Sequence, residues 1–217
     1  MKKRFLFACL FVLNAAVQLL CVFAGFEALR IATKVLLVPL AIVWYALSPA
    51  GVRRAAVCGA AFGWAGDVLL IPQGRGFFLA GLACFALGHV CYVAAFLRGV
   101  RVKRLLFAGS GAVCAGLVVA VFALAPFPPG LAAPAGVYAA LLFTMAISAL
   151  QLFCFHGTRA AFFVFLGGLC FVVSDALLGL FRFGGVEMRF SGVLVMGAYA
   201  LAQALILWGL SKIGRVR

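Results

Sequence analysis

Acidic residues are almost missing from this chain: 217 residues hold four, Glu27, Asp67, Asp175 and Glu187, beside 18 Lys and Arg. Charge of either sign is scarce, at 10% of residues, where a water-soluble domain carries about 25%. A soluble globule is therefore excluded, and a hydrophobic share of 68% excludes a disordered chain as well. No G-x-S-x-G elbow and no H-E-x-x-H helix occur, which disfavours serine hydrolase and zinc protease chemistry. Eight cysteines (9, 21, 58, 84, 91, 114, 154 and 170) form no C-x-x-C pair and all sit inside apolar runs, so they read as small hydrophobes rather than metal or redox ligands.

What the chain does contain is long apolar runs. Eight stretches of about 20 residues or slightly fewer can each cross a hydrocarbon layer of roughly 30 Å: 5–24, 31–47, 55–71, 77–97, 105–125, 134–154, 160–181 and 190–210. Breakers such as Ser48-Pro49-Ala50-Gly51, Pro72-Gln73-Gly74 and Pro126-Phe127-Pro128-Pro129-Gly130 separate them. The runs are too long and too evenly apolar for barrel strands, so the expected fold is all-α: a polytopic bundle of eight transmembrane helices over residues 1–217, in one integral membrane domain. Lys2-Lys3-Arg4 before the first run resembles a signal peptide's start, but the run's length favours an uncleaved first helix.

The net charge of +14 follows from topology. With eight spans, one side of the membrane receives Lys2, Lys3, Arg4, Arg53, Arg54, Arg98, Arg101, Lys103, Arg104, Arg159, Lys212, Arg215 and Arg217. The other receives Arg30, Lys34, Arg75, Arg182 and Arg189. The positive-inside rule then puts both termini in the cytoplasm and requires no nucleic-acid partner. Gly66-Asp67-Val68-Leu69-Leu70 and Ser174-Asp175-Ala176-Leu177-Leu178 share a small-Asp-x-Leu-Leu pattern four spans apart, as two parallel four-helix repeats would.

Lipid rejects buried charge, so the polar residues inside spans are the candidates for function. Glu27 and Glu187 fall in loops and His156 in a cytoplasmic turn, where water solvates them. Asp67 lies four residues before the outer end of its run, about 6 Å deep, and Asp175 six before Phe181, about 9 Å deep. Lys34 enters from the same side at about 4.5 Å. His89 with Tyr92, and Tyr199 with Gln203, are deeper pairs three and four residues apart, each on one helix face. Bland readings exist: a snorkelling lysine, a hydrogen-bonded core histidine, polar glue between helices. The two aspartates fit them least, because one lysine cannot neutralise both. Burial favours a neutral carboxylic acid and a neighbouring ammonium favours the carboxylate, so two aspartates in unlike surroundings can divide general acid and general base work.

At these residues the chain resembles the YhhN family of eight-span membrane proteins. Thr33-Lys34 with Pro39, Gly66-Asp67-Val68-Leu69-Leu70, Phe78 through Gly81, Gly88-His89 with Tyr92, Ser174-Asp175, and Tyr199 with Gln203 carry the resemblance in order from about residue 30 to 210. Val35 stands where the family often has proline after the lysine. The resemblance implies a lysoplasmalogenase-like activity: hydrolysis of the vinyl ether bond of a lysoplasmalogen to a fatty aldehyde and a glycerophospho-choline or -ethanolamine. It implies Asp67 and Asp175 as catalytic, and Lys34, His89, Tyr92, Tyr199 and Gln203 as substrate-binding. The partners would be that lysophospholipid and the surrounding membrane lipid, without metal or organic cofactor. Rival expectations are a transporter or channel for a small solute or lipid, and a non-catalytic membrane scaffold.

Overall fold

A computed structural model of the chain describes residues 2–49, 51–124, 130–183, 188 and 190–213, with the side chains of 117–124 excepted. Glu187, Arg189, Arg215, Arg217 and the breaker at 126–129 lie outside the described residues. Every expected apolar run is a helix: α1 (Lys2–Ala24), α2 (Glu27–Ala46), α3 (Arg54–Leu69), α4 (Arg75–Leu97), α5 (Arg104–Leu124), α6 (Ala132–His156), α7 (Arg159–Phe183) and α8 (Ser191–Ile213). Among the described residues six of them, all but α3 and α5, are long and apolar enough to cross a membrane. The protein is a multi-pass membrane helix bundle.

Several helices outrun their apolar cores. α2 starts at Glu27 rather than at residue 31, because Glu27 complements the positive end of the helix dipole and pairs with Arg30 one turn on. Glu27 is thus the first residue of a helix and not a loop residue, although it stays exposed. The earlier start sets Lys34 seven residues into α2, about 10 Å along its axis instead of 4.5 Å. α7 likewise continues to Phe183, which places Asp175 eight residues from its end, about 12 Å. His156 closes α6 and is only partly exposed, so it is less solvated than a free turn would make it.

The helices form a ring. α2 packs on α3, α3 on α4, α4 on α6, α6 on α7, α7 on α8, and α8 returns to α2. α1 lies outside against α2 and α8, and α5 outside against α6. Shifting every label by four maps α1–α4 onto α5–α8 and the α4–α6 junction onto the α8–α2 junction. The order of the six ring helices therefore repeats with the same four-helix period as the small-Asp-x-Leu-Leu pattern, though α1 also packs on α8 without a comparable α5–α4 contact among the described residues. It sets Asp67 on α3 and Asp175 on α7 at equivalent stations.

Small residues make the ring tight. A Cβ on Gly88 of α4 would come within 2.9 Å of the Gly59 carbonyl of α3, and one on Gly66 within 3.1 Å of the Gly81 carbonyl. The two backbones touch at these points, which is how membrane helices gain packing energy without a hydrophobic driving force. Across the ring, a Cβ on Gly167 of α7 would meet the Ala202 carbonyl of α8 at 3.0 Å. The core facing inward is closed by Leu37, Tyr45, Tyr92, Met145, Phe171 and Ile206. Phe5, Leu105 and Val113 on the two outer helices are exposed, as lipid-solvated side chains should be.

Pro39 in the middle of α2 removes an amide donor and strands the Val35 carbonyl four residues earlier. The indole Nε1 of Trp64 on α3 donates to that carbonyl at 2.9 Å. Trp64 and Asp67 share a face of α3, so the bond that repairs α2 also presents Asp67 to α2 beside Lys34.

Candidate functional site

The ring interior gathers polar side chains from six helices. On α3, Asp67 is 3% exposed, and its Oδ1 lies 3.7 Å from Lys34 Nζ of α2. Its Oδ2 is buried and meets no hydrogen-bond partner among the described residues. The Tyr199 hydroxyl of α8 is electrostatically coupled to the same carboxyl. From Tyr199 a polar chain runs inward: Gln203 Nε2 donates to the Tyr199 hydroxyl at 3.4 Å, and Tyr92 of α4 donates its hydroxyl to Gln203 Oε1 at 2.6 Å. All three members are buried.

The second aspartate has different company. Tyr138 of α6 donates its hydroxyl to Asp175 Oδ2, and the same hydroxyl lies 3.0 Å from His89 Nε2 of α4. His89 Nε2 is itself 3.7 Å from Asp175 Oδ2. His89 is 1% exposed and its Nδ1 is without a partner among the described residues. Tyr138 therefore bridges Asp175 and His89. One carboxyl thus sits against an ammonium and a phenol, the other against a phenol and an imidazole.

Aromatic rings wall this cluster. Phe171 stands edge-on to both His89 and Tyr199, at centroid distances of 4.9 and 5.5 Å, and Phe85 stands edge-on to Tyr199 at 6.1 Å. Such contacts hold the rings in single orientations. Gly63, one turn before Asp67, gives Tyr199 and Gln203 room: a Cβ there would lie 3.4 Å from both the Tyr199 hydroxyl and Gln203 Nε2. Ser174 Oγ donates to the Val195 carbonyl at 3.1 Å and fixes α7 against α8 just before Asp175.

All seven residues singled out from the sequence fall in this one cluster, split between the Asp67 and Asp175 branches. Tyr138 was missed, and it joins the second branch together. A signal existed: the chain has only four tyrosines, and Tyr138 lies six residues from the start of α6, about 9 Å along it, in the layer of the aspartates.

A model described as the YhhN family matches residues 29–210. Bovine (Bos taurus) lysoplasmalogenase TMEM86A is 32% identical over 151 residues, covering 68% of this chain and 61% of the relative. Human (Homo sapiens) lysoplasmalogenase TMEM86A is 32% identical over 155 residues with the same shares. The chain therefore spans about three fifths of the length of these curated relatives. No solved structure matches it.

Proposed function

The chain belongs to the YhhN family, and on that premise we propose that it is a membrane hydrolase that cleaves the vinyl ether bond of lysoplasmalogens. The observation that carries this reading is the pair of aspartates inside the helix ring, Asp67 buried and Asp175 nearly so, with unlike partners. A vinyl ether is opened by protonating its outer alkene carbon, which leaves an oxocarbenium ion. Water adds to that ion, and the hemiacetal collapses to a fatty aldehyde and the freed glycerol hydroxyl. The sequence needs one acid, one base and stabilisation of positive charge, as in the two-carboxylate glycosidases.

Asp67 and Asp175 serve the two poles of this reaction, each directly or through the groups bound to it. Lys34 fixes the Asp67 carboxyl, and the Tyr92–Gln203–Tyr199 chain orients the wall against which the glycerol part lies. In this reading a single alkenyl chain lies along the apolar helix faces around the cluster, and the glycerophospho-choline or -ethanolamine remains at the surface. Both termini face the cytoplasm and the aspartates occupy the opposite half of the membrane.

The rival readings have less support. Phe85, Phe171, Tyr92 and Tyr199 are buried in the ring interior and pack it with aromatic side chains, unlike the lining of a polar solute channel. A purely structural cluster has no use for the partnerless Asp67 Oδ2 and His89 Nδ1, since a buried polar atom without a partner is costly. The test is aldehyde release from lysoplasmalogen by purified protein in detergent. Asp67→Asn and Asp175→Asn are each expected to lower the rate by about 10²-fold or more. Folded variants that release aldehyde at the parent rate refute the mechanism.

A further inference from the structure

The hydrogen bonds around His89 dictate what its unpartnered nitrogen carries. A hydroxyl has a single proton to donate. With Asp175 as the carboxylate of the pair, Tyr138 spends its proton on Asp175 Oδ2, so towards His89 Nε2, 3.0 Å away, its oxygen can only accept. Nε2 must then bear the ring proton, and Nδ1 is left with a bare lone pair. That lone pair is buried and meets no donor among the described residues, on a ring whose other nitrogen faces Asp175 and Tyr138.

We propose that His89 Nδ1 is the base that takes the proton of the attacking water, with Tyr138 and Asp175 as positioning residues that fix the tautomer and stabilise the imidazolium. The inference rests on the vinyl ether reading and deepens it: Asp175 serves the base pole through Tyr138 and His89, and Asp67 is the acid in its protonated form, whereas its ionised form is the one that pairs with Lys34. The proton inventory closes. Asp67 gives its proton to the outer alkene carbon, and the C=C electron pair forms that C–H bond. Water's oxygen bonds to the oxocarbenium carbon, and one of its protons passes to His89 Nδ1. On collapse the hemiacetal hydroxyl returns its proton to Asp67 as the C=O forms. The C–O bond to glycerol breaks with its electron pair on the glycerol oxygen, which takes the proton from His89. Both groups end as they began, and no co-reactant besides water is consumed.

The geometry favours this sense of the chain on a second count. Asp175 Oδ2 lies 3.7 Å from His89 Nε2, so a carboxylate there attracts the imidazolium formed during turnover. Phe171, edge-on to the His89 ring at 4.9 Å, restricts the rotation of the imidazole.

The chain has two histidines, which makes the test direct. Protein carrying nitrogen-15 histidine in detergent, with His156→Gln to assign the signals, reports the His89 tautomer without any substrate. The neutral ring is expected to be protonated at Nε2 and bare at Nδ1, and Tyr138→Phe/Asp175→Leu, which removes both acceptors facing Nε2, is expected to erase that preference. A ring protonated at Nδ1, or a preference that survives Tyr138→Phe/Asp175→Leu, overturns the chain. His89→Gln is expected to lower kcat by about 10²- to 10⁴-fold with little change in KM. Tyr138→Phe, which retains the ring, is expected to cost about 10- to 100-fold in kcat, the loss of one hydrogen bond to a charged group. An active wild type whose folded His89→Gln variant keeps its kcat overturns the base assignment alone. A wild type that releases no aldehyde overturns the vinyl ether reading and the base assignment together, while the tautomer still decides the chain.

Discussion

Replacing Lys34 by methionine keeps the length and apolar stem of the side chain and deletes its charge. The perturbation isolates the Asp67–Lys34 pair. Unit charges 3.7 Å apart attract by about 4.5 kcal/mol at an effective dielectric constant of about 20. Removing one partner of a buried pair leaves the other charge uncompensated, a loss of about 3–5 kcal/mol. The converse variant, Asp67→Asn, is milder by a structural argument. Lysine carries its ammonium on a flexible four-carbon stem and its side chain is already 13% exposed, so it can swing to the membrane surface. The aspartate side chain is 5% exposed on a one-carbon stem and has no such escape. We therefore expect Lys34→Met to destabilise more than Asp67→Asn, and Lys34→Met/Asp67→Asn to recover most of the loss. The assay is a double-mutant cycle on unfolding in mixed micelles, with a coupling of about 2–3 kcal/mol expected. A coupling below about 0.5 kcal/mol, or the reverse order of the single variants, refutes the ion-pair account.

Three other outcomes follow from the packing and the charge pattern. Gly88→Ala forces a methyl to within 2.9 Å of the Gly59 carbonyl and should cost about 1–3 kcal/mol in thermal unfolding, whereas Gly109→Ala, with nothing within 4 Å, should be neutral or stabilise by up to about 1 kcal/mol. Tyr92→Phe leaves the buried Gln203 Oε1 without its donor and should cost about 1–2 kcal/mol, measured in the same assay. A reporter fused to the C-terminus should read cytoplasmic, and an extracytoplasmic signal would invert the proposed orientation.

The seven candidate residues were legible before any coordinates because lipid makes polar side chains rare and therefore conspicuous. Depth arithmetic also brought Lys34, Asp67 and Asp175 into one neighbourhood. It erred on where helices begin, since hydropathy marks the apolar core of a helix and not its ends. Glu27 and Arg30 are polar, yet they extend α2 by a turn through their own ion pair and the helix dipole. Tyr138 escaped notice because a tyrosine is ordinary in an apolar run, and only its contact with Asp175 and His89 distinguishes it from Tyr45, which instead accepts from the Arg53 backbone N–H. Trp64 escaped for a related reason: its partner is a carbonyl freed by a proline 25 residues away, and no local pattern links the two.

Composition and hydropathy alone determined the helical membrane bundle, the number of helices and the small set of side chains that must face inward. These follow from the energy of placing each residue in lipid, which depends on what the residue is and hardly on its neighbours. Which polar residue meets which was decided by the ring. The α3–α4 and α7–α8 contacts at Gly88 and Gly167 rotate their helices so that Asp67 finds Lys34 and Asp175 finds Tyr138. Rotation about a helix axis changes little of the burial energy of an apolar helix, so it is left to backbone contacts and single hydrogen bonds between residues far apart in the chain.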